Sequence, residues 1–173
     1  MSNFSDVQNM NLVFGNEAGD PFNPNWEARG QIDTYIKLID EEFSEIKEAY
    51  DLRDFKKLMD GILDTLVVTY GLAHVAGIDA DEGMEQVYIS NMSKICWSAS
   101  DSLKTQNYYS EKHGVQTVVI PVDIGGVTGL VVKVSEDHTD EKGKFFPKGK
   151  FLKSVSGFVE PKLDSSIFLN KAK

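Results

Sequence analysis

Residues 55–77 read FKKLMDGILDTLVVTYGLAHVAG, and from Gly61 to Ile78 a single carboxylate, Asp64, interrupts an otherwise apolar and neutral run. Asp54 before it suits an N-cap, and Gly77 after it suits the left-handed position past a helix C-terminus, so the stretch reads as one long helix. Its length and apolar content point to the core of a bundle, while Asp64 and His74 make it too polar for a membrane span. Burying an unpaired carboxylate costs several kcal/mol even after relaxation, so Asp64 is expected to neutralise, pair or bind a cation. Asp60 stands one turn before it.

Working outward towards the N-terminus, a second long helix is expected to open after Pro24 with Asn25 as its N-cap. Ile32, Tyr35, Ile36, Ile39, Phe43, Ile46 and Tyr50 recur at spacings of three and four and make its inward stripe. Glu42 lies three after Ile39 and four before Ile46, so it projects from the face where an apolar residue is expected. Glu45 follows on the same edge, whereas Glu41 and Glu48 lie on the solvated flank. Two antiparallel helices that each aim two carboxylates at their seam, Glu42 and Glu45 from one and Asp60 and Asp64 from the other, make an oxygen-rich pocket of the kind Mg²⁺ or Mn²⁺ takes. The competing reading of any one of these residues is a solvated acidic face.

A third bundle helix is expected to start at Asp81 and to carry Met84, Val87, Tyr88, Met92 and Ile95 inward. The string SNMSK at 90–94 then places Asn91 towards the same interior, with Lys94 a turn further on. An amide and an ammonium beside carboxylates suit a nucleotide; a satisfied core amide and a lysine reaching to water suit the pattern equally. The first 24 residues read as a short helix, Val7 to Phe14, followed by a loop rich in turn formers.

Beyond Cys96 the pattern changes. VQTVVIPV (115–122) and GLVVKV (129–134) are β-branched runs joined by DIGGVT, the mark of a β-hairpin at about 115–135, with Pro121 restricting the first run to an edge or a strand end. KGKFFPKGKFLKS (142–154) carries lysines that read either as a solvated loop or as a flap over a polyphosphate, with Lys144 and Lys148 as substrate contacts. Trp26 and Trp97 could stack a nucleobase or pack at the bundle edge. The fold class is therefore mainly α: an antiparallel helical bundle over residues 1–95 with an N-terminal arm, and an extension over 96–173 with the hairpin and a Lys/Phe-rich tail, all within one domain. So much apolar helix surface implies a homo-oligomer.

The chain has 173 residues and a formal charge of −9, divided as −11 over residues 1–95 and +2 over 96–173. Such a balance argues against direct binding to nucleic acid, which needs basic surface. One cysteine excludes an intrachain disulfide and suggests a reducing compartment, so a cytoplasmic location is expected, and MSNFSDVQNM resembles no secretory signal. The chain has no G-x-x-x-x-G-K-[ST] string, and His74, His113 and His138 lack zinc-ligand spacing. Cys96 reads as a small buried thiol ahead of a Cys–His catalytic pair.

These elements resemble the all-α nucleoside triphosphate pyrophosphohydrolases, a family that includes MazG-like proteins, dimeric dUTPases and phosphoribosyl-ATP pyrophosphohydrolase. The family carries EExxE on one helix and ExxD on the next. Glu41, Glu42 and Glu45 match the first element and Asp64 the end of the second, where Gly61 stands in place of the glutamate and the acidic residue is displaced to Asp60. DGILDTLVVTYGLAHVAGID with the later SNMSK is similar to phage-encoded members. The resemblance covers about residues 25–95. It implies an oligomer that hydrolyses a nucleoside triphosphate to the monophosphate and pyrophosphate with Mg²⁺, for which Mn²⁺ would substitute. Glu42, Glu45 and Asp64 would be metal ligands with Asp60 as a fourth, and Glu41 and Glu42 catalytic, Glu41 as a ligand, an orienter or the group that positions water. Asn91 and Lys94 would contact substrate. The implied setting is a nucleotide pool, such as a purine deoxynucleotide (dGTP or dATP) pool for phage replication in the host cytoplasm. A non-catalytic helical oligomer that binds a nucleotide or a protein is the competing function.

Overall fold

The computed structural model describes residues 2–22 and 30–169. In chain order these form α1 (Asn3–Val13), α2 (Gly30–Leu52), α3 (Phe55–Val75), α4 (Ala80–Met92), α5 (Ala99–His113), β1 (Thr117–Ile124), β2 (Val127–Val134), the short strands β3 (His138–Thr139) and β4 (Phe145–Phe146), and a 3₁₀ turn at Ser165–Ile167. The mainly α class with an antiparallel hairpin is as expected. Asn25, the expected cap of α2, and Trp26 lie outside the described residues. The chain divides into two compact units, residues 1–85 with 163–173 and residues 86–162.

The first unit is built on the α2–α3 hairpin. Asp54 caps α3 by accepting from the Lys56 and Lys57 N–H groups, both at 3.1 Å. Gly61 sits where the helices cross: a Cβ there would lie 3.1 Å from Ile46 Cγ1 and 3.7 Å from the Glu42 carbonyl oxygen. α1 covers the far half of α3, with Phe4 buried against Tyr70 at 5.8 Å between ring centroids. Tyr35 of α2 donates its hydroxyl to Asn11 Oδ1. Asn16 donates to that tyrosine oxygen at 3.3 Å, and His74 Nε2 donates to the Asn16 carbonyl at 3.0 Å. The segment after Leu163 pairs back on this unit, with Asp79 N–H donating to Ile167 O at 2.7 Å and Leu169 N–H to Gly77 O at 2.9 Å.

Two expectations about burial fail. Of the expected α2 stripe, Ile36, Phe43 and Tyr50 are exposed, and on α4 Met84 and Tyr88 are exposed. Asp64 is exposed as well, so the cost of burying it does not arise. For α2 and α3 the reason is that they pack on each other, α1 covers one end, and much of each helix circumference meets no other element among the described residues.

The second unit packs α5 against one face of the β1–β2 hairpin. α5 lies in a stretch to which the sequence reading assigned no element. Its inward positions Ser102, Thr105 and Tyr109 keep helical spacing, but two of the three are polar, so no apolar period marks it. Ser98 as N-cap and Gly114 after the last residue were the available signals. The hairpin closes on Gly125 and Gly126, both at positive φ, the two-residue turn whose twist matches its strands. Register pairs Pro121 with Leu130. Leu130 exchanges both of its backbone hydrogen bonds with Cys96 at 2.8 Å, so its partner Pro121 aims its nitrogen at the open edge, where no donor is needed. Val132, Val134, Val115, Tyr109, Phe146, Leu152 and Cys96 form the core. Burial pushes the Cys96 thiol up, and its contact is Thr105 Oγ1 at 3.7 Å, which fits an inert buried thiol.

Asp140 organises the turn between β3 and β4. It accepts from His113 Nδ1 at 2.7 Å and from the Lys142 and Lys144 backbone N–H groups at 3.0 and 2.9 Å. The His113 bond first, then the backbone donors, hold its carboxyl below the ordinary value of 3.8. A depressed carboxyl stabilises the fold above its unfolded pKa and loses that contribution as pH falls through the folded one. Asp140→Asn should therefore melt below the wild type at neutral pH, with the gap closing under about pH 3.8. Thermal melts across the acid range measure it, and a gap that is constant with pH would contradict this account.

Candidate metal and substrate site

The α2–α3 crossing at Gly61 brings two acidic edges together, because removing a side chain at that position lets Asp60 and Asp64 lie beside the Glu42–Glu45 turn of α2. This also accounts for the departure from ExxD: position 61 faces the neighbouring helix and has no room to present a carboxylate. Glu42 is half-buried, and Glu41, Glu45, Asp60 and Asp64 are exposed. Partial burial, and then the charges of Glu45, Asp64, Glu41 and Asp60 in that order, raise the Glu42 carboxyl above its ordinary value. Five carboxylates thus act on one neighbourhood, and among the described residues none of them is in a salt bridge. That is an oxygen-donor set with an excess of negative charge, which suits a hard divalent cation. Among the described residues no three such groups converge on one ion position as they stand.

A cleft of about 240 Å³ opens beside this cluster, lined by Glu45, Glu48, Ala49, Lys57 and Asp60. Glu48 and Lys57 were not expected there. The signal for Glu48 was its i+3 spacing from Glu45, which puts the two on one edge of α2, and Lys57 is likewise three before Asp60.

Asn91 and Lys94 belong to the second unit. Asn91 is exposed at the end of α4, not turned into a bundle interior, and accepts from Lys94 Nζ at 2.6 Å. Both line a cleft of about 390 Å³ whose other walls are apolar. Lys144 is held in the β3–β4 turn by its backbone, and its ammonium lies over the Phe146 ring at 5.0 Å. Lys148 donates its backbone N–H to Asp137 at 2.7 Å. Trp97 is exposed.

Residues 7–91 match the family model described as phosphoribosyl-ATP pyrophosphohydrolase. The chain is also 26% identical over 140 residues to an uncharacterized protein of Acanthamoeba polyphaga mimivirus, an alignment covering 63% of this chain and 54% of the viral protein. The chain therefore spans about half the length of that curated relative. No solved structure matches the chain at a significant level. The matched segment holds both acidic elements and the helix crossing that joins them, together with Asn91, and ends before Lys94 and the hairpin. Residues 7–91, just under half of the chain, are thus similar to the phosphoribosyl-ATP pyrophosphohydrolase family, a branch of the all-α nucleoside triphosphate pyrophosphohydrolases.

Proposed function

We propose that the protein is a divalent-metal-dependent pyrophosphohydrolase that converts a nucleoside triphosphate to the monophosphate and pyrophosphate. The observation that carries this reading is the carboxylate cluster at the α2–α3 crossing, without cationic partners among the described residues and inside the segment matched by the family. A bound Mg²⁺ or Mn²⁺ would neutralise the triphosphate oxygens and supply an acidified water. Glu42, Glu45, Asp60 and Asp64 would hold it. Glu41, next to Glu42 and raising its pKa through its charge, would orient the water, and a carboxylate of this set would accept its proton. A purine deoxynucleotide such as dGTP or dATP is the proposed substrate, and adjustment of a deoxynucleotide pool for phage replication the proposed role, in keeping with the viral source of the relative.

The working unit is proposed to be a homo-oligomer. Met59, Ile62, Leu63 and Leu66 repeat at i, i+3, i+4 and i+7 along α3 and are all exposed. α3 also has the length and hydropathy, 1.2 on average, of a membrane-crossing helix. Asp60 and Asp64 on the same helix make a second protein surface the better cover for the stripe. Sedimentation of the wild type should give a dimer or larger. Leu66→Glu should shift it to monomer, because a carboxylate inside an apolar helix interface is unpaired. A wild type that sediments as a monomer would discard the oligomer.

The reaction itself is tested by incubating ribo- and deoxynucleoside triphosphates with Mg²⁺ or Mn²⁺ and resolving the products. Monophosphate with pyrophosphate, dependent on metal, is the expected result. Diphosphate with phosphate, or no turnover, would overturn it.

A further inference from the structure

The hairpin has two faces, and only one is used by the core. Val119, Leu130, Val132 and Val134 pack towards α5. Register puts Val118, Ile120, Val122 and Ile124 of β1 with Val127, Gly129, Val131 and Lys133 of β2 on the other face. A strand pair with both faces apolar needs a second cover, and the described residues of this unit supply only part of one. Ile95 lies over Gly129, where a Cβ would stand 2.6 Å from Ile95 Cγ2, so the missing side chain at 129 is what lets Ile95 reach the sheet. Phe151 comes in along the outer edge of β2, paired to Lys133, whose ammonium sits 4.5 Å from the ring centroid. Between Ile95, Val122, Ile124, Val131 and Phe151 remains the cleft of about 390 Å³. That size falls in the range of small-molecule sites, roughly 300–1,000 Å³, which combine apolar walls with a few oriented polar groups.

The polar groups are Asn91 and Lys94, and they are ordered with respect to each other. A lysine ammonium has no acceptor, so the Asn91 amide must turn its Oδ1 to Lys94, which leaves Nδ2 as the amide's free group. No described residue takes that Nδ2. The rim of the cleft therefore offers two donors side by side, Nδ2 of Asn91 and the remaining protons of the Lys94 ammonium, and no side-chain acceptor between them. The purine edge that answers two adjacent donors is the O6/N7 edge of guanine or hypoxanthine. Adenine presents N7 with an N6 amino group, a donor against a donor, and cytosine presents its N4 amino group.

We propose that this cleft binds a nucleobase and that it selects 6-oxopurines over adenine. The proposal rests on the nucleotide reading above for the class of ligand: the base lies against the face formed by Val122, Ile124, Val131 and Phe151, with O6 and N7 on Asn91 and Lys94.

The test uses the full chain without metal, with free nucleosides as probes and the methyl resonances of Ile95, Val122, Ile124 and Val131 as the readout. Deoxyguanosine and deoxyinosine should shift them at concentrations at least about tenfold below any effect of deoxyadenosine, the scale of one matched base contact. Asn91→Asp, at an exposed helix end where the fold does not depend on the amide, places an acceptor at the rim and should move the preference towards deoxyadenosine. Absence of any shift, or equal shifts by all three nucleosides that Asn91→Asp leaves unchanged, would overturn the proposal. The triphosphate assay reads the catalytic proposal separately. Selective shifts without turnover keep the cleft and discard the hydrolase, whereas turnover with equal use of dGTP and dATP and no shifts keeps the hydrolase and discards the cleft.

Discussion

Asp64→Asn and Glu42→Gln are each expected to lower metal-dependent pyrophosphate release by at least about a hundredfold, the scale on which loss of one fixed electrostatic group lowers kcat. Both substitutions keep the side-chain shape and remove one negative charge from a group of five that share a neighbourhood. The fold should not suffer. Glu42 is held among Glu45, Asp64, Glu41 and Asp60 with no cation beside it among the described residues, so relieving the repulsion raises the melting temperature of the metal-free protein or leaves it unchanged. Mg²⁺ should raise the melting temperature of the wild type, because a ligand that binds only the folded state stabilises it, and should do so far less in either variant. Lost activity with a lowered melting temperature would mean that the carboxylates serve the fold. Full activity in Asp64→Asn would remove that residue from the site.

Gly71→Val is expected to destabilise the first unit strongly. A Cβ at position 71 would stand 2.3 Å from Tyr35 Cε1, closer than any real contact, and the ring is not free to leave. Its hydroxyl donates to Asn11 and accepts from Asn16, and Asn11 in turn donates to the Val7 carbonyl at 3.0 Å. Moving Tyr35 therefore breaks the polar bridge between α1 and α2 and leaves the buried Asn11 short of a partner. Overpacking and the lost hydrogen bonds together amount to about 3 kcal/mol. In a chain of this size that corresponds to a fall in Tm of roughly 6–12 °C. Calorimetry or a circular dichroism melt checks it, and a fall of less than about 2 °C would show that Tyr35 relocates at little cost.

The site was legible to different degrees for different residues. Glu42, Glu45, Asp60 and Asp64 stand at helical spacing on two successive helices, and the structure does set them across one crossing. The burial expected of Asp64 is not found: an apolar run predicts a buried helix and with it a buried carboxylate, whereas α3 leaves Leu63 54% exposed and Asp64 exposed with it. Periodicity reports that a face is apolar; it does not report whether this chain or another covers it. Glu48 and Lys57 were passed over because each, taken alone, looks like an ordinary solvated charge. Asn91 and Lys94 do meet, but at the mouth of a hairpin cleft and not in the expected bundle interior, a setting that no local pattern encodes.

By itself the sequence determined the elements whose causes are local: the Asp54 cap and the course of α3, the two-residue turn of the hairpin at Gly125–Gly126, the edge position of Pro121 and the order of the acidic motifs. Each depends on neighbours within a few residues, where backbone sterics and side-chain spacing act directly. Tertiary structure alone decided which faces meet. That Gly61 opens the α2–α3 crossing and that Gly129 admits Ile95 to the second face of the hairpin both depend on residues distant in the chain. Contacts of this kind follow from how whole elements pack, and packing is settled by shape and volume rather than by spacing along the chain.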